Sequence, residues 1–403
     1  MKKHLEEFRS AGHGGTLIGA LIYFTLSMAV WVMFGPLGAY IAEDLKLAPT
    51  EKGLLIALPI LCGSLLRMPV GILGDRIGAK KVGTIGLVLT LVPLLVGWLG
   101  AASYGSLIVI GLMLSVAGAS FALALPLASR CYPARHQGLV MGIVGAGNCG
   151  TVLAALLAPR LAEWVGWRGA FGLMILPLLS TLALFSMIAK EPPQPSAGQG
   201  VTSYAKILRQ ADSWWFSLFY MVTFGGFVGL ASFLPVFFYD EYGVGKVTAG
   251  NLTALCVFGG SFLRPVGGLL ADRHGGIRVL MALYGIVIAA MLLMSRLPPL
   301  PWAIAELFLV VSLLGIGNGA VFQLVPQRFQ KEIGAVTGLV GAVGGVGGFL
   351  LSFGFGLSKE LLGTYGIAFA SFALAAASCI GLLVYLQADW RRQWARQEVG
   401  MSV

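Results

Sequence analysis

The chain has 403 residues, of which 57% are hydrophobic and only 11% charged. Soluble domains carry charge on about a quarter of their residues, so this composition excludes a soluble globular protein and indicates a chain that crosses a membrane many times. The formal charge of +10 reads as basic loops lying beside anionic lipid, not as a nucleic-acid-binding surface.

A membrane span takes about 20 residues, and twelve apolar stretches reach that length. The polar start leads into the first of them, at 15–43. That segment is too long for a signal-peptide core and is expected to stay in the chain. The second, at 52–74, contains Arg67, eight residues before Asp75-Arg76. At 1.5 Å per residue, Arg67 lies about 12 Å deeper than that pair. Charge at such depth is costly and marks a functional site by default; the plainer alternative is an arginine that snorkels to the interface.

The third and fourth stretches, 82–101 and 104–130, lead to Gly118-Ala119-Ser120-Phe121. The fifth, 138–159, carries Gly138, Gly142, Gly145 and Asn148, and the sixth is 168–189. Residues 191–212, with Pro-Pro-Gln-Pro-Ser and then Ala-Gly-Gln-Gly, form the longest polar interruption. They read as a linker between an N-terminal half, 1–190, and a C-terminal half, 213–403.

The second half repeats the first. After the seventh stretch, 213–239, the eighth, 247–271, contains Arg264, again eight residues before an Asp-Arg pair, Asp272-Arg273, and 197 positions after Arg67. The ninth and tenth are 278–296 and 301–326, the tenth holding Glu306 and Gly319-Ala320-Val321-Phe322. The eleventh, 333–358, sets Gly334, Gly338 and Gly341 against Gly138, Gly142 and Gly145, 196 positions apart, and the twelfth is 365–388. Near-constant offsets indicate a duplicated six-helix unit, an arrangement that places a transporter's site at the interface of the repeats. The predicted fold is therefore an all-α membrane protein of twelve spans in two pseudo-symmetric six-helix halves.

The loop Gly71-Ile72-Leu73-Gly74-Asp75-Arg76-Ile77-Gly78-Ala79-Lys80-Lys81 and its copy over 268–278 resemble the loop motif of the major facilitator superfamily, as does Gly166-Trp167-Arg168-Gly169-Ala170-Phe171. Within the superfamily, the glycine-rich segments 138–150 and 334–348 resemble the two signatures of the nitrate/nitrite porter family. The resemblance implies a carrier of nitrate, nitrite or both, working by exchange or by proton-coupled uptake. It implies no covalent chemistry and no cofactor, and action as a monomer in the cytoplasmic (inner) membrane. Alternatives are a facilitator for another small monovalent or carboxylate anion, or a membrane sensor that keeps the fold without transport. An enzyme is disfavoured, because no nucleophile, base and metal cluster falls inside the spans.

Placing both termini in the cytoplasm puts 18 of the 27 Lys and Arg on that side and 7 on the other, as the positive-inside rule requires. The five cysteines are scattered, mostly within spans, and fit neither a disulfide framework nor metal-ligand spacing.

Arg67 and Arg264 are the expected anion ligands, since a guanidinium fork matches a flat oxyanion in a bidentate way. Two such cations repel when the site is empty and are drawn together by one anion, which would favour exchange over net flow. Carried over from the family by motif, Phe121 and Phe224 would flank the anion and Tyr220, one turn from Phe224, would help hold it; core or lipid packing is the alternative for the two rings. Tyr23 matches Tyr220 in position but is followed by Ser27 where Phe224 falls. Asn148 resembles the family's signature Asn, with Gly344 at the equivalent place in the other half. Gly142, Gly145, Gly338 and Gly341 read either as a smooth gating face or as static close packing. In the superfamily the acid matching Asp75 contacts the start of span eleven, and Asp272 would sit by span five; simple loop capping is the alternative. Glu306 is the candidate for proton coupling, set against a structural or interfacial role near the outer edge of its span.

Overall fold

The computed structural model describes residues 11–191, 206–329 and 333–400; most of the predicted linker, 192–205, lies outside them. The described residues form helices and no strand. Helices are what such a chain must form, because lipid offers no partner for backbone N–H and C=O groups.

Eleven of these helices are long and apolar enough to cross a membrane. α1 is Gly14–Leu45, α2 Pro49–Ile77, α3 Ala79–Leu99 and α4 Tyr104–Ser129. The continuous segment Leu139–Ile188 has 50 residues, about 75 Å of helix and enough for two crossings of a core about 30 Å thick. It divides into α5 and α6 at Gly166, whose φ of 75° is open to a residue without Cβ. The second half comprises α7 (Ala211–Tyr242), α8 (Lys246–His274), α9 (Gly276–Met294), α10 (Leu300–Arg328), α11 (Ile333–Leu362) and α12 (Gly366–Gly400). Twelve crossings result, as the sequence predicts, with α12 running further than its apolar stretch.

Four spans are broken where the sequence reads as continuous. α1 is interrupted at Val32 and Met33, α4 at Ala119 and Ser120, α5 by a 3₁₀ turn over Ala146–Cys149, and α8 at Leu263. Prolines account for two of them, since Pro36 and Pro265 have no N–H to return to the carbonyls of Val32 and Ser261. Apolar content alone does not register such breaks.

The halves meet along α2 with α11, along α5 with α8, and through the second part of α1 with α7. Contact is close enough at several points to demand glycine. A Cβ on Gly35 of α1 would lie 2.2 Å from the Ser232 carbonyl oxygen of α7, and one on Gly345 of α11 would lie 1.7 Å from Ser64 Oγ of α2.

At the end remote from the termini, polar side chains also join the halves. Lys52 Nζ of α2 lies 2.5 Å from Asp240 Oδ2 of α7. Lys246 of α8 pairs with Glu43 of α1, which also accepts from the Tyr239 hydroxyl of α7. Thr50 N donates to Glu360 Oε2 of α11 at 2.9 Å.

Candidate functional site

Arg67 projects from the middle of α2, and its side chain is 1% exposed. Nε donates to the Gly118 carbonyl at 3.2 Å and Nη1 to the Gly341 carbonyl, across the interface between halves, at 3.0 Å. The break in α4 frees the first of these acceptors: Ala122 N, four residues on, bonds to Ala119 O instead. Nη2 has no partner. Around the head stand the rings of Trp31, Phe121 and Phe224, with centroids 5.3, 5.0 and 4.9 Å from Cζ. Trp31 is held there by its own bond, Nε1 to the Pro59 carbonyl at 2.7 Å.

Arg264 opens the second segment of α8, immediately after the break at Leu263. It is half-buried, and its Nη1 has no partner. Its Cζ lies 5.6 Å from the Phe121 centroid and 5.2 Å from that of Phe322. One ring, Phe121, is thus shared by both guanidiniums. The two Cζ atoms can be no further apart than 5.0 Å and 5.6 Å laid end to end.

The remaining wall is aromatic. Tyr220 and Phe224, four apart on α7, stack with centroids 5.0 Å apart and planes 1° from parallel. Tyr220 meets Phe322 edge-on at 4.8 Å. Each ring over a desolvated cation contributes about 2 kcal/mol, so the rings offset part of the several kcal/mol that burial costs an ion. Among the described residues neither guanidinium has a carboxylate partner. The site therefore holds two positive charges and lacks the negative one that would balance part of them.

Orphaned polar atoms surround it. Asn148, in the 3₁₀ break of α5, is 1% exposed with neither Nδ2 nor Oδ1 partnered. The Tyr220 hydroxyl, Ser64 Oγ, Ser120 Oγ and Thr223 Oγ1 are also buried without partners. Among the described residues no group of three or more His, Cys, Asp or Glu side chains is placed to hold a metal.

Arg67, Arg264, Phe121, Phe224, Tyr220 and Asn148 all stand on the α2, α4, α5, α7 and α8 surfaces that face the interface, and the first five are in mutual contact. Phe121 and Phe224 flank the Arg67 head rather than an open slot. Gly341 lies against it: a Cβ there would sit 3.6 Å from Arg67 Nη1. Gly142 and Gly145 have nothing within 4 Å of where a Cβ would be. In this state no described residue packs against either position. Close approach in α5 falls instead on Gly150, against the Thr25 carbonyl of α1.

Asp75 pairs with Arg130 of its own half at 2.5 Å, and Asp272 accepts from Gln323 Nε2 at 2.9 Å. The facing side chains at the starts of α11 and α5, over 331–335 and at 134, 135, 137 and 138, lie outside the described ones. Glu306 is half-buried on α10, with Oε2 unpartnered, near Tyr242 and away from the arginines.

Phe322 and Trp31 are absent from the sequence-derived site. Phe322 was signalled by the repeat itself, as the counterpart of Phe121 in Gly319-Ala320-Val321-Phe322. Trp31 carries no comparable mark, since only the break in α1 and the bond to Pro59 bring its ring to Arg67.

The family model of the Major Facilitator Superfamily matches residues 19–352. The nitrite extrusion protein of Bacillus subtilis (strain 168) is 34% identical over 359 residues, covering 89% of this chain and 90% of its own length. A probable nitrate/nitrite antiporter, NarK1, of Thermus thermophilus is 34% identical over 389 residues, with 88% and 87% covered. A probable nitrate transporter, NarT, of Staphylococcus epidermidis is 30% identical, with 94% and 98% covered. Among solved structures, a bacterial homolog of the human lysosomal transporter Spinster, in an inward-facing and occupied conformation, superposes with a TM-score of 0.64. It is 18% identical and covers 94% of this chain and 96% of that one.

Proposed function

The chain belongs to the major facilitator superfamily, and we propose that it is a secondary carrier of nitrate and nitrite that works by alternating access. The names of its relatives support this substrate class. The observation that carries the reading is the pair of guanidiniums, one from each half, that share the Phe121 ring and have no carboxylate between them. A flat monovalent anion fits there, with its oxygens in reach of the unpartnered Nη2 of Arg67 and Nη1 of Arg264.

The bias of basic residues supports termini on the cytoplasmic side of the inner membrane. In that orientation the knitted end is external. The two cations oppose closure when the site is empty, and a bound anion relieves them. Exchange of one anion for another follows from that difference. Glu306 is remote from the arginines, so a proton-coupled cycle would have to reach them from the edge of α10; uptake by Glu306→Gln with an unchanged pH profile removes that route. The single chain holds the whole site and acts as the transport unit.

Binding of nitrate, nitrite, chloride, formate and sulfate to the purified chain tests the assignment, with Arg67→Lys and Arg264→Lys alongside. Lysine keeps the charge and loses the fork, so nitrate affinity falls about tenfold or more in each variant. Full affinity in both overturns bidentate recognition, and tighter binding of formate than of nitrate or nitrite moves the chain to the carboxylates. Rapid nitrate entry into vesicles that hold no internal anion, without a pH gradient, overturns obligatory exchange.

A further inference from the structure

Asn318 of α10 is 1% exposed, and neither its Nδ2 nor its Oδ1 has a hydrogen-bond partner. An amide offers two donors and an acceptor with two lone pairs, and native interiors leave few such groups unmade. Its neighbours fix where it stands. A Cβ on Gly319 would lie 2.1 Å from the carbonyl oxygen of Arg264 itself, and one on Gly317 would lie 2.6 Å from the Thr223 methyl carbon. Phe322, one turn on along the same face of the helix, has its ring against Arg264 and Tyr220. Asn318 is therefore held between α7 and α8, one turn from a ring that lines the site.

Two more orphans accompany it, Arg264 Nη1 and Thr223 Oγ1. The threonine's usual acceptor in its own helix is the carbonyl four residues back, and that of Phe219 already takes the Tyr284 hydroxyl at 2.9 Å. Its hydroxyl proton is free for another acceptor.

The repeat supplies the remaining argument. Asn148 puts an unpartnered amide at the interface from the N-terminal half, where its backbone carbonyl faces Ser261, and its counterpart in α11 is Gly344, which has no side chain to offer. Asn318, whose own counterpart in α4 is Ala117, provides that missing amide from a different helix.

We propose that Asn318 is a specificity-determining residue that donates from Nδ2 to the nitrate oxygen that Arg67 Nη2 and Arg264 Nη1, the unpartnered guanidinium nitrogens, leave unheld, with the Thr223 hydroxyl, also unpartnered in this state, turning to donate to Oδ1 and orient the amide when the anion is bound. The inference rests on the anion assignment above. Nitrate has three oxygens and nitrite two, so the amide contact belongs to nitrate and sets the preference between them.

Calorimetric titration of the full chain with nitrate and with nitrite tests it, using Asn318→Leu and Thr223→Val. The expected result for Asn318→Leu is about a tenfold loss of nitrate affinity, with nitrite affinity changed by less than about twofold. Thr223→Val is expected to shift the ratio the same way by a smaller factor. An unchanged nitrate-to-nitrite ratio in Asn318→Leu, whether both affinities fall together or neither falls, overturns the proposal. If that variant does not fold, Asn318→Ser, which is small and polar but too short to reach the anion, is read by the same ratio. A native chain that binds neither anion overturns the function on which the proposal rests and not the role of the amide within it.

Discussion

The two ends of the molecule use the same kinds of polar contact for opposite purposes. Remote from the termini, Lys52 with Asp240, Lys246 with Glu43, and Glu360 with the Thr50 amide each join one half to the other. At the end that carries the termini, Arg130 with Asp75, Arg328 with Asp212, and Glu191 with the Ala79 amide at 2.7 Å each join helices of one half. The glycines follow suit, with Gly35 and Gly345 pressed against the opposite half and Gly142 and Gly145 facing open space. One end is a seam and the other a mouth. If the halves move as units, the change of access comes from exchanging which end carries the contacts between them.

The largest effect is expected from preventing that exchange. With the five native cysteines replaced, Lys52→Cys and Asp240→Cys bridged by a short bis-methanethiosulfonate, which attaches through disulfides, should abolish uptake, and reduction should restore it. Uptake that survives complete cross-linking would show that the seam does not need to part.

Next comes filling the mouth. Gly142→Leu meets nothing in this state, but a state that closes this end would bury the added side chain. Overpacking costs about 1–3 kcal/mol, so transport should slow about five- to a hundred-fold, while the melting temperature and nitrate binding at equilibrium in the present state stay near native. Native rates of uptake would place the closing surface elsewhere than on α5.

Smaller still is the effect of one ion pair at the seam. Lys52 and Asp240 are mostly buried, at 12% and 17% exposed, and Asp240 also accepts from the Tyr365 hydroxyl at 2.8 Å. Asp240→Asn should loosen the seam by about 1 kcal/mol, seen as a few-fold faster labelling of a site cysteine by an impermeant thiol reagent from the far side. Arg130→Gln at the mouth breaks a pair within one half and should leave that labelling rate unchanged.

Much of this architecture is legible in the sequence, because duplication writes the same marks twice. The offsets that relate Arg67 to Arg264 and Gly142 to Gly338 reveal the two halves, and depth within an apolar run reveals the arginines. The rest depends on information that periodicity does not carry. Breaks in four spans turn Trp31 inward and free the Gly118 carbonyl, yet apolar stretches read straight through them. A glycine spacing shows that two backbones can approach, but not in which conformation, and so Gly142 and Gly145 stand apart from any neighbour here. Phe322 could have been found by carrying the role expected of Phe121 to its counterpart in the repeat, whereas the orphaned amide of Asn318 is visible only once every possible partner has a position.

The uncompensated guanidiniums also have an electrical consequence. Charge carried across a membrane field is worth about 2.3 kcal/mol per elementary unit per 100 mV. Whatever part of that field Arg67 and Arg264 sense on the outward stroke, they sense in reverse on the return. One-for-one trade of monovalent guests therefore leaves no net current, and its equilibrium is indifferent to voltage. A carrier that works by such one-for-one exchange is driven by the concentration gradients of its two cargoes alone.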